Sequence, residues 1–180
     1  MSRIAAIDPS TASNTVKPLL EGVEKGLGLV PNLFRVAAQS PASLEALVSM
    51  FGATAKTHFS AREREAIALA VSEANGCDYC LSAHTLLGKG AGLTEGAIDA
   101  AREARSDEPR LAAVLALARS IVDRRGRIGE NDVVAARAAG LGDPEIVDVV
   151  TNVVLTIFTN YLNEVAKTDI DFPLVTHKAR

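Results

Sequence analysis

The stretch IVDVVTNVVLTIFTNYLNEVA, residues 146–166, is apolar around nearly its whole circumference when wound as a helix. Such a helix has no polar face to give to water, so it must be covered on several sides by other helices or by another subunit. Its length would suit a membrane span, but Asp148, Asn152, Asn160 and Asn163 interrupt it. A central or subunit-buried helix is therefore expected, and no membrane partner. Asp143-Pro144-Glu145 supplies its start, with Asp143 as the cap, Pro in the first turn and an acid favoured by the helix dipole.

The rest of the chain repeats the helical period. About 30 of the 180 residues are Ala, apolar positions recur at three- and four-residue spacings, and alternating β-branched runs are absent. The reading is all-α. Helices are expected from Asn14 to about Lys25, near 31–38 and 41–57, from Ser60 to Asn75, and from Cys77 to about Leu87. Further helices should follow from Thr94 to about Ala104, Pro109 to Asp123, and Glu130 to Ala139. Ser60 and Glu63 form a capping box, and Asn75-Gly76 gives a left-handed stop. Residues 1–14 and 168–180 read as irregular arms, and with no linker in between the chain is one domain over 1–180. A faint echo at an offset of 83 residues pairs Ser60 with Asp143, Ile67 with Val150, and Cys77 and Cys80 with Asn160 and Asn163. It suggests a duplicated helical hairpin.

Composition removes several function classes. A net charge of −3 argues against a nucleic-acid partner, which needs a basic face. A hydrophobic fraction of 48% is too high for a disordered chain. Two Cys cannot build a disulfide-rich secreted scaffold, and the N-terminal twenty residues have no signal-peptide core, so a cytoplasmic protein is expected.

Both cysteines fall in one C-x-x-C, with a His four residues after the second: Cys77-Asp78-Tyr79-Cys80-Leu81-Ser82-Ala83-His84. On a helix starting at or just before Cys77, residues 77, 80 and 84 share a face. The rise of about 4.5 Å from Cys77 to Cys80 leaves a reversible disulfide open. A helix N-terminus favours ionisation of Cys77, but Asp78 places negative charge beside it. Cys80 and His84 are i, i+4 neighbours, so His84 can take the thiol proton directly or through one water. Cys80 is thus the favoured nucleophile and Cys77 its resolving partner. Two other readings use the same residues: buried thiols as core fillers, and a zinc site with Glu65 as fourth ligand. Neither a metal nor a cofactor is expected, because a structural zinc site would need a second ligand pair and His58 and His177 are isolated. Glu63 is accounted for by its cap, whereas Glu65 reads either as part of an inward stripe with Leu69 and Ser72 or as a solvated acid in the run ARERE.

The order Glu65, eleven residues, Cys77-x-x-Cys80, three residues, His84 resembles the alkyl hydroperoxide reductase D-like proteins of the carboxymuconolactone decarboxylase superfamily. The wider stretch FSAREREAIALAVSEANGCDYCLSAH is similar to its peroxidase-related subgroup, with Phe59 in place of the opening Leu. The likeness continues through GLTEGAIDAAR and AAGLGDPEIVDVV to TNYLNEVAKTDIDFP, roughly residues 20–173. It implies an all-helical bundle of the alkylhydroperoxidase type that assembles through its helices into dimers, trimers or hexamers. It further implies peroxide reduction with Cys80 peroxidatic, Cys77 resolving, and Glu65 with His84 as a proton relay. Tyr79 stands where the best-studied members carry His, so it enters as a possible auxiliary and the relay is shorter or water-bridged.

The expected function is a thiol peroxidase acting on hydrogen or organic hydroperoxides, re-reduced by an external dithiol such as a lipoyl-bearing or thioredoxin-like protein. The alternatives are a decarboxylase or lyase using His84 and Glu65, and a non-catalytic redox sensor or assembly module.

Overall fold

Several helices begin where the sequence supplies a capping side chain. Ser40 accepts from the Ser43 amide, Thr94 from the Ala97 amide, and Ser60 and Glu63 close a reciprocal capping box. The computed structural model describes residues 2–178; Met1 of the N-terminal arm and Ala179 and Arg180 of the C-terminal arm lie outside the described residues. Among the described residues there are nine α-helices and no strand. They are α1 (Lys17–Leu27), α2 (Asn32–Ala37), α3 (Pro41–Thr54), α4 (Ala61–Asn75), α5 (Asp78–Gly90), α6 (Glu95–Arg102), α7 (Pro109–Asp123), α8 (Glu130–Ala138) and α9 (Asp143–Ala166). The all-α expectation holds.

The departures have local causes. The cap of α9 is Gly142, not Asp143: Glu145 reaches back to the Gly142 N–H at 2.8 Å, which sets the start one residue earlier. Asp143 instead pairs with Arg137. The expected first helix starts at Lys17 rather than Asn14, after a turn in which the Val16 and Lys17 amides both donate to the Ser13 carbonyl. The echo at 160–163 is no second hairpin, because α9 runs through those residues unbroken.

The helix wrapped on every side is α4 rather than α9. Every residue from Ala66 to Ser72 is buried, and α5, α6, α7 and α9 all pack against it. Ala66, Ala68 and Ala70 keep α4 slim enough to be approached from four directions. Helix α9 buries a stripe that includes Asn152, Thr156, Thr159, Asn160 and Asn163, and leaves Val147, Val150, Val154, Tyr161 and Val165 exposed. It is long and apolar enough to cross a membrane by length and composition, yet its polar stripe is the side that faces α4 and α5.

The buried apolar side chains form two clusters. One joins α4 and α6–α9 around Leu69, Leu115 and Val149. The other is built by α1–α3 with Cys77, Tyr79, Cys80 and Leu155. Both arms are irregular, as expected, but docked. The Arg3 amide donates to the Ala166 carbonyl at the end of α9. The C-terminal residues lie as a strap across the start of α5. The Val175 amide donates to Ser82 Oγ at 2.9 Å, and Asp78 Oδ1 receives both the amide and Nδ1 of His177.

Candidate active site

Gly76, with φ of 67°, ends α4 in the left-handed conformation, so the chain reverses in a single residue and α5 begins at once. Cys77 therefore caps α5 instead of belonging to it, and Cys80 is its third residue. This is the spacing of a capping box, here with sulfur in both places. The Cys80 amide donates to Cys77 Sγ at 3.3 Å, and the Cys77 thiol donates to Cys80 Sγ with the sulfurs 2.6 Å apart. Both thiols are free and buried.

The two sulfurs are unlike. Burial pushes the Cys80 thiol up, but the hydrogen bond from Cys77, the charge of His84 and the amides of Asn163 and Asn160 together bring it down to about 7. Cys77 moves the opposite way, held protonated first by its hydrogen bond to Cys80 and then by burial. Asp78, expected to disfavour a charge at Cys77, is turned to His177; the carboxylate that acts on Cys77 is Glu164.

Helices α4 and α5 are antiparallel neighbours, which brings Glu65 beside His84, with Oε2 and Nδ1 2.7 Å apart. Burial alone would discharge the ring, but Glu65 and then the Cys80 thiolate raise His84 above its ordinary 6.5. With Nδ1 engaged by Glu65, Nε2 is the nitrogen left for chemistry on the Cys80 side. Cys77, Cys80, His84 and Glu65 thus meet as a thiol pair backed by an imidazole and a carboxylate.

Tyr79 is not part of that relay. Its hydroxyl accepts the Leu33 amide at 3.0 Å, its ring stands edge-on to Phe172 at 5.6 Å, and burial holds the phenol protonated. It is a post that fixes α2 and the strap to α5. His58 lies apart, paired with Asp148, and His177 serves the strap.

The sequence did not single out the asparagines of α9 for the site. Asn163 Nδ2 lies 3.3 Å from Cys80 Sγ. Asn160 donates to Ser72 Oγ and accepts from Asn75, which fixes it under the sulfur. The one available signal was the 83-residue echo, which set these two residues opposite the two cysteines. A cavity of about 540 Å³ opens over Cys80, His84 and Asn163 and is walled by Val23, Leu33, Phe34, Phe51, Leu87 and Phe172. A second, of about 60 Å³, lies behind the Glu65–His84 pair against Asn152, Thr156 and Thr159. Among the described residues no group of three or more His, Cys, Asp or Glu is arranged to hold a metal ion.

Residues 41–123, from α3 to the end of α7, match the carboxymuconolactone decarboxylase family. That stretch contains Glu65, both cysteines and His84. The fold agrees with solved members of the alkylhydroperoxidase type. A peroxidase-related protein from Ralstonia eutropha JMP134, described as an alkylhydroperoxidase AhpD core, is 23% identical with a TM-score of 0.85, over 94% of this chain and 92% of that one. A peroxidase-related protein from Silicibacter sp. TM1040 is 23% identical with a TM-score of 0.79, over 88% and 86%. The debrominase Bmp8, as a Cys-to-Ala variant in complex with 2,3,4-tribromopyrrole, is 21% identical with a TM-score of 0.80, over 93% and 91%. No curated protein matches the chain in sequence. The chain thus shares its architecture with both peroxidase-related proteins and a debrominase.

Proposed function

We propose that the protein is a thiol peroxidase that reduces hydrogen or organic hydroperoxides and is re-reduced by an external dithiol. The observation that carries this reading is the asymmetric sulfur pair: a Cys77 thiol donating to Cys80 Sγ at 2.6 Å, on the floor of an apolar cavity of about 540 Å³. The Cys80 thiolate attacks the terminal oxygen of R–O–OH, the O–O bond breaks, and RO⁻ leaves with the electron pair. His84, held by Glu65, gives RO⁻ its proton. Cys77 then displaces water from the Cys80 sulfenic acid and the disulfide closes. A lipoyl-bearing or thioredoxin-like dithiol in the cytoplasm would reset the pair.

Metal-free protein should consume cumene hydroperoxide or hydrogen peroxide in the presence of a dithiol, with lipoamide, thioredoxin and glutathione systems compared side by side. No consumption with any of them would remove the reading. A second reading is favoured by the cavity's aromatic wall of Phe34, Phe51 and Phe172 together with the likeness to Bmp8. In it the thiol pair supplies the two electrons that convert C–Br to C–H, ending as a disulfide with release of HBr. Bromide release from a brominated pyrrole, with hydroperoxide untouched, would select it. Turnover surviving loss of both cysteines would instead select an acid–base lyase using His84 and Glu65.

The same proposal includes a homo-oligomer that covers the exposed stripe Val147, Val150, Val154, Tyr161 and Val165 of α9. Light scattering should give a multiple of 18.9 kDa, and a monomer at micromolar concentration would refute it.

A further inference from the structure

Three buried side-chain polar atoms lack a hydrogen-bond partner among the described residues: Thr85 Oγ1, Thr168 Oγ1 and Asn163 Oδ1. The two hydroxyls carry a hydrogen of their own and can turn it toward a neighbour. The amide oxygen has none and can only receive. A carbonyl left without a donor in a closed site is a standing cost, and such groups in native structures call for an explanation. This one shares its carbon with Nδ2, the atom that contacts Cys80 Sγ at 3.3 Å. Asn163 also forms part of the wall of the cavity over that sulfur. Whatever becomes bonded to Cys80 Sγ therefore arrives beside an acceptor that nothing else occupies.

We propose that Asn163 is a catalytic residue: Nδ2 steadies the Cys80 thiolate, and Oδ1 receives the hydroxyl hydrogen of the oxygen that Cys80 takes from a hydroperoxide. The second half rests on the peroxidase reading. In that reaction an S–O bond forms and the O–O bond breaks. The electron pair leaves on RO⁻, which takes its proton from His84. Sulfur is oxidised to sulfenic acid while the peroxide is reduced to an alcohol. The transferred oxygen keeps its hydrogen throughout, so it brings to the site the donor that Oδ1 lacks. The inner oxygen of R–O–OH carries no hydrogen, and the same acceptor therefore selects the terminal oxygen for attack. The amide serves both ends of the step, donating to sulfur before it and accepting from the new hydroxyl after it.

The test uses a Cys77→Ser background, so that every thiol signal belongs to Cys80. Asn163→Leu removes both polar atoms at similar volume, and Asn163→Ala does so without the bulk, so that agreement between the two excludes a packing artefact. Two rates are read on each: alkylation by iodoacetamide across pH, and sulfenic acid formation with tert-butyl hydroperoxide, trapped by a dimedone-type probe. Both variants should raise the alkylation midpoint by about one pH unit, the size expected of one hydrogen bond to a charged group. At pH 9.5, where Cys80 is ionised in all of them, sulfenic acid formation should fall about tenfold further than alkylation does. An unchanged alkylation midpoint would overturn the role of Nδ2. Equal slowing of the two reactions at pH 9.5 would overturn the role of Oδ1. If the Cys77→Ser parent alkylates at Cys80 yet never oxidises with hydroperoxide, the peroxidase reading fails and the Oδ1 role falls with it, while the alkylation series still decides Nδ2.

Discussion

The two apolar clusters of this protein are filled to different degrees. The one around α4, with Leu69, Val114, Leu115 and Val149 fully buried, is closed by helices on all sides. The one under α1–α3 contains the thiols and surrounds a cavity of about 540 Å³. The first spends its apolar surface on packing. The second keeps part of that surface unfilled, which is what a reacting molecule needs to reach a buried sulfur. On the proposed function, stability and chemistry fall to different halves of one molecule, which meet along α5 and the C-terminal half of α9.

The sharpest test of that division is Cys80→Ser, which should abolish sulfenic acid formation entirely while leaving the unfolding transition in place. Cys77→Ser should still react once with peroxide and stop at a trappable sulfenic acid. A sulfenic acid found on Cys77 instead would reverse the two roles. Next in size, His84→Ala should slow the first oxidation by about 10²–10⁴, the usual contribution of a positioned acid–base group. Glu65→Gln should act in the same direction with smaller effect, because it touches His84 and not sulfur. Stopped-flow single-turnover rates would check both.

Leu115→Ala probes the other half. It should cost about 2–5 kcal/mol in denaturant unfolding, as for a large-to-small change in a packed core, and leave the alkylation rate of Cys80 unaltered. Equal loss of stability and reactivity would show that the halves are not separate. The pH dependence should be gentler. Because the Cys80 thiol is lowered to about 7, the reactive thiolate fraction grows as pH rises through 7 and levels off above it. A free cysteine would do this near 8.5. Iodoacetamide rates between pH 5 and 9 would locate the midpoint. The smallest effect belongs to the cavity wall: Phe51→Ala should weaken turnover of cumene hydroperoxide by about tenfold relative to hydrogen peroxide, since only the former has a ring to bury. Competition between the two peroxides would measure it.

What the sequence made legible was whatever is local. Ser60 and Glu63 announce the start of α4, Gly76 its end, and Cys77, Cys80 and His84 their shared helix, because each relation spans seven residues or fewer. Glu65, nineteen residues from His84, entered the expected relay only through the family resemblance, and the tight α4–α5 hairpin is what brings the two together. The amide of Asn163 was not legible, because contact with Cys80 depends on how α9 crosses α5, which is a matter of packing. The same limit explains why the central place, one of the two expected for α9, belongs to α4. The large aliphatic residues of α9 look more buried than the alanines of α4, but slimness, not bulk, lets a helix be enclosed from four sides. The roof of the cavity comes from α1–α3, whose sequence carries no chemical motif at all.

The strap across α5 has a consequence for how the protein comes into being. Cys80 meets Asn163 across 83 residues of chain, Ser82 meets Val175 across 93, and Asp78 meets His177 across 99. During synthesis the cysteines emerge well before the groups that distinguish them, by roughly 5–20 s at ordinary elongation rates. For that interval Cys80 has Cys77 and His84 within reach on its own helix but lacks the Asn163 and Asn160 amides that help to lower it. Ribosome-bound chains halted at residue 150 should alkylate Cys80 with a higher midpoint than released chains, which have gained the two amides.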